Sequence, residues 1–204
     1  MFYTKVLSSP EEISEVKRLL YLIYIKELGW QFSVNNPSGL IILHEGRHKY
    51  LHDKFDSVST WFGVFHHNIL VGCIRSIRRI DGAFELEQYH ALPEFLNHDS
   101  DVVETNRLAI LPEYRGTNAI YLLSAFAIEY EYNRGVRYSF TTAPLPGIGF
   151  FYIRKLGYQR VKLPPFKYHP SDENTVTLMY LDGTKPKYIQ NLIKRMKRVG
   201  ATIE

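Results

Sequence analysis

"VVETNRLAILPEYRGTNAIYLLSAFAIEYEYNRG", Val102 to Gly135, decides how the chain is read. An apolar run of strand character carries two charges, Glu104 and Arg107, and stops at Pro112. A short Arg-Gly-Thr-Asn turn then opens a long apolar helix that closes at Gly135. A helix N-terminus presents unpaired N–H groups and a partial positive charge, so it can hold a phosphate where a glycine lets the backbone approach. Gly116 supplies that glycine and Arg115 a cation, although basic glycine turns also precede helices for purely structural reasons. The two strand charges must be paired or solvated. Three places apart, they face opposite sides of an unbroken strand, and a bulge would change that. Glu104 and Arg107 read either as structural ion-pair partners or, for Glu104, as a general base that takes a proton from an attacking amine.

Working outward, "FYTKV" reads as a first strand. "SSPEEISEVKRLLYLIYIKEL" reads as a helix with Ser9 as cap, Pro10 in its first turn and Glu11 and Glu12 at its positive end. Its apolar residues Ile13, Val16, Leu19, Leu20 and Ile23 recur at helical spacing, and Gly29 ends it. Residues 31–58 read as a long irregular loop, which in a compact domain is usually functional or mobile. "TWFGVFHH" and "ILVGCIRSIRRI" form a hairpin around His67-Asn68. "LPEFLNHDSD" is a short helix or loop. After the helix closing at Gly135, "VRYSFTTA" is a strand, "PGIGFFYIRKLG" a helix, "YQRVKL" and "TVTLMYL" strands, and "PKYIQNLIKRMKRVG" a terminal helix. The expected class is α/β of the α+β type, a mixed but mostly antiparallel sheet flanked by helices, in one domain over 1–204.

The bulk numbers agree with such a domain. The 204 residues are 45% hydrophobic and 23% charged, enough apolar material for a sizeable core. Fifteen Tyr and twelve Phe are as consistent with an aromatic core as with a long apolar ligand. A net charge of +4 falls short of a nucleic-acid stripe and leaves a mild bias toward acidic partners. One cysteine, Cys73, excludes an internal disulfide and a Cys-based zinc site and reads as a small core residue. The spaced histidines of "HEGRHKYLH" read as an exposed polar loop rather than a metal site, and no metal is expected. The N-terminus has no signal-peptide core, and no apolar run approaches the ~18 residues a membrane helix needs. The expected location is the cytoplasm.

The strand, the turn "EYRGTNA" and the helix together resemble the acyl-donor-binding core of the GCN5-related N-acetyltransferase (GNAT) fold. The resemblance implies that the phosphopantetheine arm of a donor sits on Leu111, Arg115, Gly116, Thr117, Asn118 and Ala119. Asn118 and Ile120 stand where the family pattern has glycine or alanine. "GFFYIRKLGYQRV" resembles the family's second motif, with Tyr152 one residue from the usual place of a catalytic tyrosine, held here by Ile153. As a general acid Tyr152 competes with a plain role in the core. The resemblance also implies that backbone N–H groups near Ala109 and Ile110 stabilise the thioester oxygen.

A narrower resemblance joins segments along most of the chain. "YIKELGW", "HDKFDS", "LVGCIRSIRR" and "LPEFLNHDSDVVETNRLAI" are similar to segments of acyl-homoserine-lactone synthases and of long-chain N-acyl amino acid synthases. They place Trp30, Asp53, Asp56, Arg75, Glu104 and Arg107 in a charged cluster that takes the acceptor. Convergent carboxylates can bind an ammonium group, and arginines a carboxylate; the same charges can equally order the 31–58 loop. Leu20 stands where the lactone synthases carry an arginine, and residues 144–170 look more like the N-acyl amino acid synthases. The resemblance thus implies an N-acyltransferase that holds no permanent cofactor. It would move a medium or long acyl chain from acyl carrier protein, or acyl-CoA, to the amine of an amino acid or similar small molecule. Arg75, Arg78, Arg79 and the helix around Lys194–Arg198 are candidate contacts for the carrier protein. Two alternatives stay open: a lactone synthase using S-adenosylmethionine, and a GNAT-shaped module that binds acyl-phosphopantetheine without turnover.

Overall fold

A computed structural model describes residues 1–97, 101–168 and 172–201, with backbone alone for 199–201. His98, Asp99 and Ser100 of the "LPEFLNHDSD" segment, and His169, lie outside the described residues. Strand β1 (Phe2–Leu7) leads into helix α1 (Pro10–Leu20). The Ser9 side chain accepts from the Glu12 N–H while the Glu12 carboxylate accepts from the Ser9 N–H, a capping box that sets the helix start where the sequence places it. The helix then widens into a π-helical stretch, Tyr21–Glu27, before Gly29 turns the chain at φ 68°.

Residues 31–58 are more ordered than expected. Strands β2 (Ile41–Glu45) and β3 (His48–His52) pair as a hairpin turned at Gly46, and a 3-10 turn follows over Lys54–Val58. The hairpin escapes a pattern reading because its strands alternate weakly. Of its ten residues only Leu51 is fully buried, against the α1 side of the core.

The main sheet continues with β4 (Ser59–His66), β5 (Ile69–Ile77), β6 (Val102–Ile110), β7 (Tyr138–Ala143), β8 (Gln159–Arg160) and β9 (Thr177–Asp182). Among the described residues its seven strands run in the order β1-β4-β5-β6-β7-β9-β8. All neighbours are antiparallel except β6 and β7, which the crossover helix α3 (Ala119–Asn133) makes parallel. Strand β8 is two residues long, shorter than "YQRVKL" implies, because the chain leaves β9 after Val161 and runs on to Pro164-Pro165. The remaining helices are α2 (Glu94–Asn97), α4 (Ile148–Arg154) and α5 (Pro186–Ala201).

Two irregularities of β6 position the site. It pairs with β7 only over Val102–Glu104, so the two strands part after Glu104. It also bulges against β5: Cys73 faces Ala109 while Arg75 faces Asn106, and Arg107 takes φ 53°. Gly72 permits the close packing beside the parting, since a Cβ there would lie 2.3 Å from Ile110 Cδ1. Helix α3 covers one sheet face with Leu123 and Ala127 against Phe62, Val64 and Ile74. On the other side of β5, Cys73 and Ala109 belong to a core with α1 residues Leu19 and Leu20 and with Leu51 of the hairpin.

Candidate active site

The bulge answers the question that the spacing of Glu104 and Arg107 raises. The extra residue turns Arg107 to the face that carries Glu104 and Asn106, and a cluster of charges closes there. Arg75, with 0% exposure, donates from Nη1 to Asp53 Oδ1 at 2.7 Å and Oδ2 at 2.9 Å, from Nη2 to Glu85 Oε2 at 2.7 Å, and from Nε to Asn106 Oδ1 at 2.8 Å. Arg107 donates from Nη2 to Asp53 Oδ2 at 2.9 Å and to Glu85 Oε1 at 2.6 Å. Asp56 pairs with the buried Lys17, lies 3.4 Å from Arg75 Nη1 and 3.4 Å from His52 Nδ1. The Trp30 ring centroid is 5.8 Å from the Arg107 guanidinium and 4.3 Å from the Tyr24 ring. The structure therefore brings together Trp30, Asp53, Asp56, Arg75, Glu104 and Arg107.

Lys17 and Glu85 belong to the same cluster and are missed by the sequence reading. Lys17 carries a signal, because it sits four residues after Ile13 and three before Leu20, on the apolar stripe of α1. Its nitrogen lies 5.0 Å from the Trp61 ring centroid, and burial lowers its pKa against the pull of Asp56. Glu85 is a lone carboxyl between Phe84 and Leu86, both buried in the core. It is 1% exposed, a burial that demands partners.

The cations Lys17, Arg75 and Arg107 satisfy Asp53, Asp56 and Glu85, and among the described residues Glu104 is left with neutral donors. It accepts from the Leu86 N–H at 3.1 Å, from Asn106 Nδ2 at 3.2 Å and from the Tyr168 hydroxyl at 3.4 Å. Burial and then the Glu85 charge push its pKa up to about 7, against the hydrogen bonds of Leu86 and Asn106. At Asp53, burial works upward too, but Arg75 and Arg107 outweigh it and hold the carboxyl well below the usual range. One site thus contains a fixed anion and a carboxyl able to gain and lose a proton near neutrality.

Beyond the bulge, the Leu111 N–H donates to Val71 O at 2.9 Å, and strand alternation turns the peptide groups of Ile110 toward the gap between β6 and β7. There the Ile110 carbonyl accepts from Arg115 Nε at 3.0 Å, and the Leu108 carbonyl from the Tyr24 hydroxyl at 2.9 Å. Arg115 also meets Glu27 with both terminal nitrogens, Nη2 at 2.8 Å. At the start of α3, Gly116 has φ 85° with open space where a Cβ would be. The Thr117 hydroxyl accepts from the Ala119 N–H at 3.2 Å, and Asn118, the capping residue, makes no side-chain cap. Its Nδ2 is buried without a partner in the described structure, so this helix start has donors to spare for an anion.

Three expected residues lie differently. Tyr152 is 4% exposed and packs 5.2 Å from the Tyr158 ring. It lines a cavity of about 30 Å³ together with Thr105, Ser124, Glu131 and Ser139. That is the Thr105 side of β6, opposite the Glu104 cluster, and burial raises the Tyr152 phenol well above its ordinary pKa. Arg75, fully buried, cannot meet a carrier protein, and Arg79 is engaged with Glu87, the Leu96 carbonyl and the Phe84 ring. Lys194, Arg195, Lys197 and Arg198 of α5 are exposed, with Met196 buried between them. Among the described residues no group of three or more His, Cys, Asp or Glu is placed to hold a metal, and no helix is long and apolar enough to cross a membrane.

Residues 43–125 match the family model described as an acetyltransferase (GNAT) domain. No curated protein matches the chain by sequence. Among solved structures, BjaI, a CoA-dependent acyl-homoserine lactone synthase solved with MTA, superposes with TM-score 0.69 at 15% identity, over 97% of this chain and 90% of its own. FeeM, an N-acyl amino acid synthase from uncultured soil microbes, superposes with TM-score 0.63 at 14% identity, over 100% of this chain and 99% of its own. LasI, an AHL synthase, gives TM-score 0.64 at 14% identity, over 90% of each chain. Domain match and fold agree with the parted strands and the open start of α3: the chain has the fold of a GNAT domain, and the match over residues 43–125 supports an acyltransferase.

Proposed function

We propose that the protein is an N-acyltransferase that moves a medium or long acyl chain from acyl carrier protein, or acyl-CoA, to the amine of an amino acid or similar small molecule. The observation that carries this reading is Glu104, a buried carboxyl that pairs with no cation among the described residues, poised near neutral pH within a cluster of otherwise paired charges. Glu104 takes a proton from the acceptor ammonium. The freed nitrogen pair forms the N–C bond to the thioester carbonyl, the C–S bond breaks with its electrons on sulfur, and the sulfur takes the second amine proton, directly or through water. Thioester and ammonium become amide, thiol and one proton, which Glu104 returns to solvent.

The Ile110 N–H is the candidate holder of the thioester oxygen, the Ala109 N–H being turned to Cys73 of β5, and the turn from Leu111 through Ala119 is the candidate holder of the donor phosphate. Arg107 meets the cluster through Nη2 alone among the described residues, so Nε and Nη1 remain to pair with an acceptor carboxylate beside Trp30. The exposed basic face of α5 suits an acidic carrier. Tyr152 contributes to the wall of the cavity beneath α3.

The test is incubation with acyl-carrier and acyl-CoA thioesters and a panel of amino acids, reading thiol release and product mass. Amide formation with a free amino acid, reduced roughly 10²–10⁴-fold by Glu104→Gln, supports the reading. Product only when S-adenosylmethionine is present reassigns the protein to lactone synthesis, and binding of the donor with no thiol release makes it a non-catalytic module.

A further inference from the structure

Glu85 is the centre of the cluster, and neither the sequence resemblance nor the proposed chemistry uses it. Its Oε1 accepts from Arg107 Nη2 at 2.6 Å, and its Oε2 from Arg75 Nη2 at 2.7 Å and Asn106 Nδ2 at 2.9 Å. Asn106 Nδ2 also donates to Glu104 Oε1 at 3.2 Å, while Asn106 Oδ1 is held by Arg75 Nε. One amide thus ties the two carboxyls together, its orientation set by the arginine that Glu85 anchors. The backbone adds a second tie, because the N–H of Leu86, next in sequence, donates to Glu104 Oε2 at 3.1 Å. Both the cation sink and a donor to Glu104 come from one short turn, Leu86–Gln88 and the residue before it.

We propose that Glu85 is a positioning residue for the base: by holding both guanidinium groups it keeps them off Glu104 and leaves Glu104 as the carboxyl that accepts the acceptor's proton. The proposal rests on the N-acyltransferase reading above. Without Glu85, Asp53 would be the one buried anion holding both arginines, with the half-buried Asp56 beside Arg75, and Glu104 would be the next available partner. A carboxylate drawn into an ion pair with arginine is a weak base. The groups that face Glu104 are Glu85, Asn106, Arg75 of β5 and Tyr168, with Tyr89 against Tyr168 at 5.4 Å between ring centroids. Of these Glu85 is the one neighbour that raises the proton affinity of Glu104 by charge.

The experiment is the pH dependence of kcat/KM for the full chain, Glu85→Gln, Glu85→Asp and Glu104→Gln, with the acyl donor and the amino acid that give product. Glu85→Gln keeps the size and the hydrogen-bonding atoms of the side chain and removes its charge. The expected result is an acid limb displaced downward by about one pH unit or more, with a lowered plateau, and with Glu85→Asp between Glu85→Gln and the parent. A uniform loss with the limb unmoved overturns the proposal. Should Glu104→Gln retain the parent rate and limb, the base assignment fails, and that outcome is distinct from a failure of Glu85. If Glu85→Gln does not fold, carboxyl NMR of the parent labelled at glutamate replaces it. One resonance titrating near neutrality and lost in Glu104→Gln supports the division of roles, and a neutral-range resonance that survives Glu104→Gln overturns it.

Discussion

Arg115, at the turn before α3, is forked onto Glu27, at the end of the π-helical stretch 88 residues earlier, and its Nε holds the Ile110 carbonyl at 3.0 Å. The cation expected to meet a donor phosphate therefore already has an anion. The pair is partly exposed, so it contributes little to stability by itself.

Donor phosphate and the Glu27 carboxylate compete for Arg115. Arg115→Ala is expected to raise the donor KM roughly ten- to a hundredfold, the scale of a lost charge-assisted hydrogen bond. Glu27→Ala should lower it or leave it unchanged, at equal kcat. A raised KM in Glu27→Ala would instead mean that the pair orders the site.

Glu104 makes stability depend on pH in an unusual sense. Its folded pKa, about 7, exceeds the ordinary carboxyl value, so between the two the folded chain binds a proton that the unfolded chain has released. The group's contribution then falls as pH rises through that window, and above it the full penalty is present. Glu104→Gln should accordingly be more stable than the parent at pH 8, by up to about 3 kcal/mol, and no more stable at pH 4. Urea unfolding at both values measures this, and an equal difference at the two would count against it.

Asp53 behaves in the opposite way. With its folded pKa depressed, its ion pairs stabilise above the ordinary carboxyl range and are lost as pH falls through the folded value. Asp53→Ala strands Arg75 and Arg107 with too little negative charge, and a buried pair broken on one side costs about 3–5 kcal/mol. Thermal unfolding at pH 7 should show a large loss, with 3-10 capping at Lys54–Val58 removed as well. A loss under about 1 kcal/mol would mean the cluster relaxes or hydrates freely.

Tyr24 donates to the Leu108 carbonyl from the π-helical stretch and carries Trp30 against its ring. Tyr24→Phe keeps the ring and removes the bond, so about 1 kcal/mol of stability should be lost. If the bond also fixes the peptide groups beyond the bulge, kcat should fall several-fold while the acceptor KM stays constant. An unchanged kcat would confine Tyr24 to packing.

Much of the scaffold is legible in the sequence because its causes are local. The capping box at Ser9 and Glu12, the glycine stop at Gly29, the turn at His67-Asn68 and the strand–turn–helix at 102–135 each depend on neighbours a few residues apart. The weakly patterned hairpin at 41–52 is not legible, since contact with the α1 side of the core, rather than its own periodicity, orders it.

By itself, the sequence determined the mixed sheet, the crossover helix with its basic glycine turn, and the residue types available for chemistry. It named most of the cluster through resemblance, yet left open whether Glu104 and Arg107 share a face. Only the tertiary structure decided that, because the answer depends on a one-residue bulge against β5 and on long-range partners. Glu85, 22 residues before Arg107, and Lys17, on a distant helix, become members of the site only when folding removes water and brings these buried charges against opposite ones.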